Sequence, residues 1–184
     1  MSSASENVVL IGMPGVGKST VGVLVAKQLG FGFVDTDILI QTREGKTLQQ
    51  LIEQMGPDGF CRLEARHILS IGLSSHVIAT GGSVVYDSEA MRHLHGGGFI
   101  VHMDLNVDAL QQRLDDVVAR GVVIAPGKGV HDLYAERHPL YLARSDITID
   151  TTGLSPARVA ERICAQVSRF NASARTGSVA SRKK

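Results

Sequence analysis

Directly after a short apolar run at residues 8–11, the chain reads Gly12-Met13-Pro14-Gly15-Val16-Gly17-Lys18-Ser19. This is the full G-x-x-x-x-G-K-[ST] pattern, in which glycines let successive backbone N–H groups turn inward around phosphate oxygens. Such a loop needs a buried strand to feed it and a helix to leave it, because the helix N-terminus adds its own partial positive charge. Val21, Val25 and Leu29 supply the apolar stripe of that helix at intervals of four. In this frame Gly12, Gly15, Val16 and Gly17 present backbone to the phosphates of a nucleotide, and Lys18 reaches the β- and γ-phosphates. Thr20 supports the loop near the α-phosphate, and the Ser19 hydroxyl is suited to hold Mg²⁺. The loop alone does not separate a kinase from a GTPase, an ATPase motor or a regulatory nucleotide switch.

The rest of the chain alternates in the same way. Residues 33–34, 76–79, 99–103 and 147–149 read as buried strands, since they are β-branched or aromatic, bounded by Gly or polar residues, and too short for helices. The clearest helix spans 155–170, with Ser155 as cap, Pro156 in the first turn, and Val159, Ile163 and Val167 at intervals of four. Cys164 lies on or beside that stripe and reads as a small core residue. Strand–helix alternation implies an α/β fold, a parallel sheet with helices on both faces. With 184 residues, 43% of them hydrophobic, one domain closes its core without staples. Ligands of such sheets bind beyond the carboxyl ends of the strands, so the segments after each strand are where chemistry is expected.

Composition narrows the partners. Nineteen basic residues against eighteen acidic ones give no electrostatic reason to expect nucleic acid or an anionic membrane. Two cysteines, Cys61 and Cys164, point to a reducing cytoplasm rather than a disulfide scaffold. Residues 1–6 read as a flexible polar start without the order of a signal peptide, and 171–184, small, polar and basic, as a disordered tail. The expectation is one unit over 7–170, cytoplasmic and monomeric. His93-x-His95 is too close for a zinc-binding i, i+4 pair, and Gly82-Ser83-Val84 is not a nucleophile elbow.

The second strand runs into Asp35-Thr36-Asp37. In extended backbone, residues two apart share a face, so both carboxylates point at the loop's contents. One would steer Mg²⁺ through water while the other accepts a proton from an attacking hydroxyl. Either acid taken singly is also readable as a turn or helix N-cap residue.

With these acids in place the sequence resembles the shikimate kinase family, small P-loop kinases that phosphorylate a hydroxyl of a cyclic carboxylate with MgATP. The phosphate loop, Phe33-Val34-Asp35-Thr36-Asp37, Thr80-Gly81-Gly82 and Glu136-Arg137-His138-Pro139-Leu140-Tyr141 appear in the family's order, over about residues 7 to 170. The resemblance implies a five-stranded parallel sheet, a helical substrate region after the second strand, and a lid. It implies ATP as phosphoryl donor with Mg²⁺, Asp35 helping to place the metal, and Asp37 binding the acceptor hydroxyl as base. The Gly81-Gly82 turn would approach the acceptor, and Arg137 would pair with its carboxylate. Arg120 resembles the lid arginine that approaches the transferring phosphate, without the usual proline after it. Its alternative reading is a solvated residue at a helix C-terminus. Gly127 and Gly129 around Lys128 suit a flexible loop.

The family pattern fails on the acceptor side. Phe60-Cys61-Arg62-Leu63-Glu64 has Cys61 where the resemblance expects an arginine in the substrate site, and Arg62 is one helical step, about 100°, away. Gly56-Pro57 replaces a Gly-Glu, and Ser83 replaces a third glycine. On the breadth of the resemblance, the leading expectation is conversion of shikimate to 3-phosphoshikimate. The runner-up is homoserine or another small hydroxy acid on the same fold, and a non-catalytic nucleotide-binding module comes third.

Overall fold

The computed structural model describes residues 6–114 and 129–180. Five strands form one parallel sheet in the order β2-β3-β1-β4-β5, with β1 at Asn7–Ile11, β2 at Gly32–Asp35, β3 at His76–Ala79, β4 at Gly98–Asp104 and β5 at Ile147–Asp150. Each strand found in the sequence is present; β3 keeps its bounds and the other four gain one or two residues. Val8 pairs with Val77 on one side and Phe99 on the other, so β1 is central. Val8, Val9, Leu10 and Ile11 are all fully buried, and because alternate side chains point to opposite faces, both faces of the sheet are covered.

Helix α1 (Lys18–Leu29) leaves the phosphate loop and packs against α7 (Pro156–Ala180). The chain order steps from β1 outward to β2, back to β3, and then across β1 to β4. That reversal leaves a crevice beyond the carboxyl end of β1, where the loop 12–17 sits.

Helix α2 (Thr36–Glu44) and helix α3 (Leu48–Leu69) follow β2 and have a small core of their own, Ile40, Leu48, Leu51, Phe60 and Leu63. Thr47 and Gln50 close a capping box at the start of α3. Within α3 the helix breaks at Gly56 (φ 71°, ψ 169°), and Pro57 restarts it, a position where the missing N–H costs nothing. The Gly-Pro departure noticed in sequence is thus a kink, bringing Phe60 to Glu64 back toward the sheet.

Helix α4 (Ser88–Gly97) precedes β4, α5 (Val107–Leu114) follows it, and α6 (Val130–Arg144) leads into β5. Helix α7 continues past Phe170 to Ala180, so the backbone over 171–180 is helical where composition pointed to a disordered tail. A helix already nucleated by an apolar stripe extends at little cost per added residue when no proline interrupts it. The flexible start expected at 1–6 lies, but for Glu6, outside the described residues, as does 181–184. Among the described residues, no helix is long and apolar enough to cross a membrane.

Candidate active site

The loop takes a path open only to glycine. Gly12, Gly15 and Gly17 have φ of 142°, 80° and 101°, and a Cβ on Gly12 would collide with the carbonyl oxygen of Met103 in β4. Lys18, the first residue of α1, is buried and donates from Nζ to the carbonyls of Gly12 (2.7 Å) and Met13 (2.9 Å), which aligns its ammonium along the loop. Burial pulls its pKa down to about 8, against the opposing pull of Asp37 and Asp35. Ser19 and Thr20 are exposed on the first turn of the helix.

The acids after β2 differ from the extended pair expected. The strand ends at Asp35, and Asp37 already belongs to the first turn of α2. Asp35 is the N-cap, its Oδ1 accepting from the N–H of Asp37 (2.9 Å) and of Ile38 (3.2 Å). The helix start won over strand continuation because a capping carboxylate satisfies two backbone donors that extended chain would leave to solvent. Both acids still act on Lys18, so the turn brings them to the phosphate loop by another route. Burial first, then Asp35, raises Asp37 to about 6. Thr36, between them, is fully buried and its Oγ1 accepts from the N–H of Gly81 (3.1 Å), clamping α2 onto the turn after β3.

That glycine turn is where the residues expected on the acceptor side meet. A Cβ on Gly81 would collide with Glu64 Oε1 and stand 2.8 Å from Asp37 Oδ1; one on Gly82 would stand 2.9 Å from Pro14 and 3.1 Å from Arg137 Nη1. Asp37, Glu64, Arg137 and the phosphate loop therefore border one corner. Glu64 is buried, Oε2 accepts from Ser83 Oγ (2.6 Å), and Oε1 has no hydrogen-bond partner among the described residues. Burial raises Glu64 to about 7, opposed by the Ser83 hydrogen bond. Cys61 is half-buried within hydrogen-bonding reach of Ser83, and burial pushes its thiol up, so it packs rather than reacts. Arg62 is exposed and does not stand in for it.

Arg137 is buried to 1% exposure on α6. Its neighbours at helical spacing pin that face: Tyr134 Oη donates to Asp104 Oδ1 at the end of β4 (3.0 Å), and Tyr141 Oη donates to the Gly82 carbonyl (2.7 Å). Arg120, Gly127 and Lys128 fall outside the described residues; Gly129 is the N-cap of α6.

A hollow of about 280 Å³ adjoins the phosphate loop, bordered by Gly15, Thr20, Arg113, Thr151, Leu154 and Pro156. Sequence reading gave Arg113 and Tyr86 no place here and quoted Glu64 only within the Phe60–Glu64 motif, without a role. The rule that ligands sit beyond strand ends pointed at the β5–α7 turn without saying which side chains it would carry.

Chemically, one corner offers a buried ammonium and inward-facing loop backbone, a carboxylate of raised pKa, and a guanidinium. This is equipment for moving a phosphoryl group onto a hydroxyl of an anionic molecule.

Comparison with known proteins gives the same picture. The family model for shikimate kinase matches residues 14–168. A shikimate kinase of Thermodesulfovibrio yellowstonii is 37% identical over 169 residues, covering 90% of this chain and 97% of that protein. Among solved structures, shikimate kinase from Acinetobacter baumannii in complex with shikimate aligns with a TM-score of 0.84 at 27% identity, over 90% of this chain and 94% of that one. Shikimate kinase from Aquifex aeolicus aligns at 0.76 and 30% identity, over 90% and 98%.

Proposed function

The chain belongs to the shikimate kinase family, and from that premise we propose that its acceptor is shikimate, converted with ATP to 3-phosphoshikimate. The observation that carries the reading is the shared corner at Gly81-Gly82, where Asp37 and Arg137 stand beside the loop that holds Lys18. The relatives favour shikimate over homoserine or a non-catalytic nucleotide module, the readings that Cys61 and Ser83 had kept open.

On this reading the acceptor carboxylate pairs with Arg137, whose fork of donors matches a carboxylate. Asp37, with a pKa of about 6, is mostly ionised at neutral pH and takes the proton of the attacking hydroxyl. The new bond runs from the acceptor oxygen to the γ-phosphorus, the bond to the β–γ bridging oxygen breaks, and ADP leaves. Lys18 and the backbone N–H groups of Gly15, Val16 and Gly17 stabilise the charge on the transferring group. The hollow edged by Arg113 and Pro156 takes the nucleoside end, a guanidinium and a proline ring being suited to the faces of a base. Arg120 is the proposed lid arginine.

Mg²⁺ fits the donor set here: the Ser19 hydroxyl and the Asp35 carboxylate are hard oxygen ligands at the loop, few enough for an ion that keeps phosphate and water ligands. Those two residues would hold it, and it would offset phosphate charge.

The test is ADP release by the wild-type chain with MgATP and increasing shikimate, with the product identified by phosphorus NMR. Saturable turnover yielding a 3-phosphate ester is expected. No shikimate-dependent release, with ATP still bound, would overturn the reading.

A further inference from the structure

Tyr86 ends the short 3-10 turn Val84–Tyr86 that follows the glycine turn. Val84 and Val85 are buried and anchor the turn, while Tyr86, 36% exposed, faces α6. Its hydroxyl donates to Glu136 Oε1 (2.6 Å) and accepts from Arg137 Nε (2.9 Å). The guanidinium carbon also stands 5.0 Å from the centre of its ring. A phenol has one hydrogen to give. A carboxylate can only accept it, so Glu136 takes that hydrogen and leaves an oxygen lone pair for the arginine. Glu136 and Arg137 are adjacent on a helix and diverge by about 100°, one exposed and the other buried; Tyr86 is the bridge between them.

We propose that Tyr86 is a positioning residue for acceptor recognition: its hydroxyl, set by Glu136, holds the Nε side of Arg137 so that the guanidinium meets the acceptor carboxylate through Nη1 at the Gly82 corner. The inference rests on the reading of Arg137 as the acceptor's carboxylate partner. With Nε committed to Tyr86, Nη1 stands 3.1 Å from where a Gly82 Cβ would be, on the side of the pocket shared with Asp37 and Glu64. A long, flexible arginine side chain has many rotamers, and a donor held in advance loses less freedom when the ligand arrives. Burial and the bond to Glu136 push the phenol pKa up, so the hydroxyl keeps its proton through the neutral range.

The experiment compares wild type with Tyr86→Phe, which keeps the ring and removes both hydrogen bonds, using shikimate and its methyl ester. For shikimate, KM is expected to rise about tenfold with kcat within about twofold, the size of one lost hydrogen bond to a charged group. The ester, lacking the negative charge, should change little, as should the KM for ATP. Equal losses on acid and ester, or an unchanged shikimate KM, would remove Tyr86 from acceptor recognition. Denaturation midpoints of both proteins accompany the kinetics; a split between acid and ester at equal stability is what a merely structural tyrosine does not produce. If wild type itself does not turn over shikimate, the reading of the acceptor falls and this inference with it; wild-type turnover with no acid–ester split overturns the inference alone.

Discussion

Ser83 Oγ donates a 2.6 Å hydrogen bond to Glu64 Oε2, joining the turn after β3 to the second half of α3 across 19 residues. The acid is buried, and this is the contact that offsets part of its desolvation; its other oxygen faces Gly81 and Asp37. Ser83, which in sequence only added bulk to a glycine turn, therefore has a partner that accounts for it.

Replacing Ser83 by Ala should leave Glu64 without that donor. A buried carboxyl group stripped of its hydrogen bond costs about 1–3 kcal/mol. Urea denaturation at pH 7 checks this, and a variant as stable as wild type would show that water replaces the hydroxyl at no cost.

Glu64 also sets a pH dependence. Its folded pKa of about 7 lies above the ordinary 4.5, so the folded protein holds the proton more tightly than the unfolded chain. The stabilisation from that proton is complete below about 4.5 and is lost as pH rises through about 7. Relative to wild type, Glu64→Gln should gain stability between pH 4 and pH 8, on the order of 3 kcal/mol. Parallel stability curves for the two proteins across that range would contradict the raised pKa.

Asp37→Asn keeps the shape and removes the proposed base. Turnover should fall by about 10²–10⁴ while ATP affinity stays near wild type. In wild type, the acid limb of kcat/KM should fall near pH 6, where Asp37 takes up its proton, and the variant's residual activity should lack that limb. Retention of full activity would transfer the role of base elsewhere.

Arg113→Ala tests the hollow beside the phosphate loop. If the nucleoside end lies there, loss of the guanidinium should raise the KM for ATP about three- to tenfold and leave that for shikimate unchanged. The reverse pattern would place the nucleoside end elsewhere.

Much of this protein is local information. The five strands, the phosphate loop and the start of α7 were legible because each is set by the order of neighbouring residues: β-branched or aromatic runs of two to five, glycines at left-handed positions, and an apolar residue every fourth place. The identity of Asp35 as a cap rather than a second inward-facing strand residue was less so. Capping and strand continuation both accept Asp, and the choice depends on where α2 is drawn by Ile40 and its packing against α3.

What the sequence could establish alone was the nucleotide loop, the α/β class and the order of the strands along the chain, since these follow from short-range chemistry. The tertiary structure decided which side chains share the corner at Gly81-Gly82. Glu64, Ser83, Tyr86 and Arg137 come from three separate segments, and their contacts come from the packing of α3 and α6 against the turn after β3. The raised pKa values of Glu64 and Tyr86, and the hydrogen bonds among the four, arise from burial among distant neighbours, a sum over space that no spacing along the chain encodes.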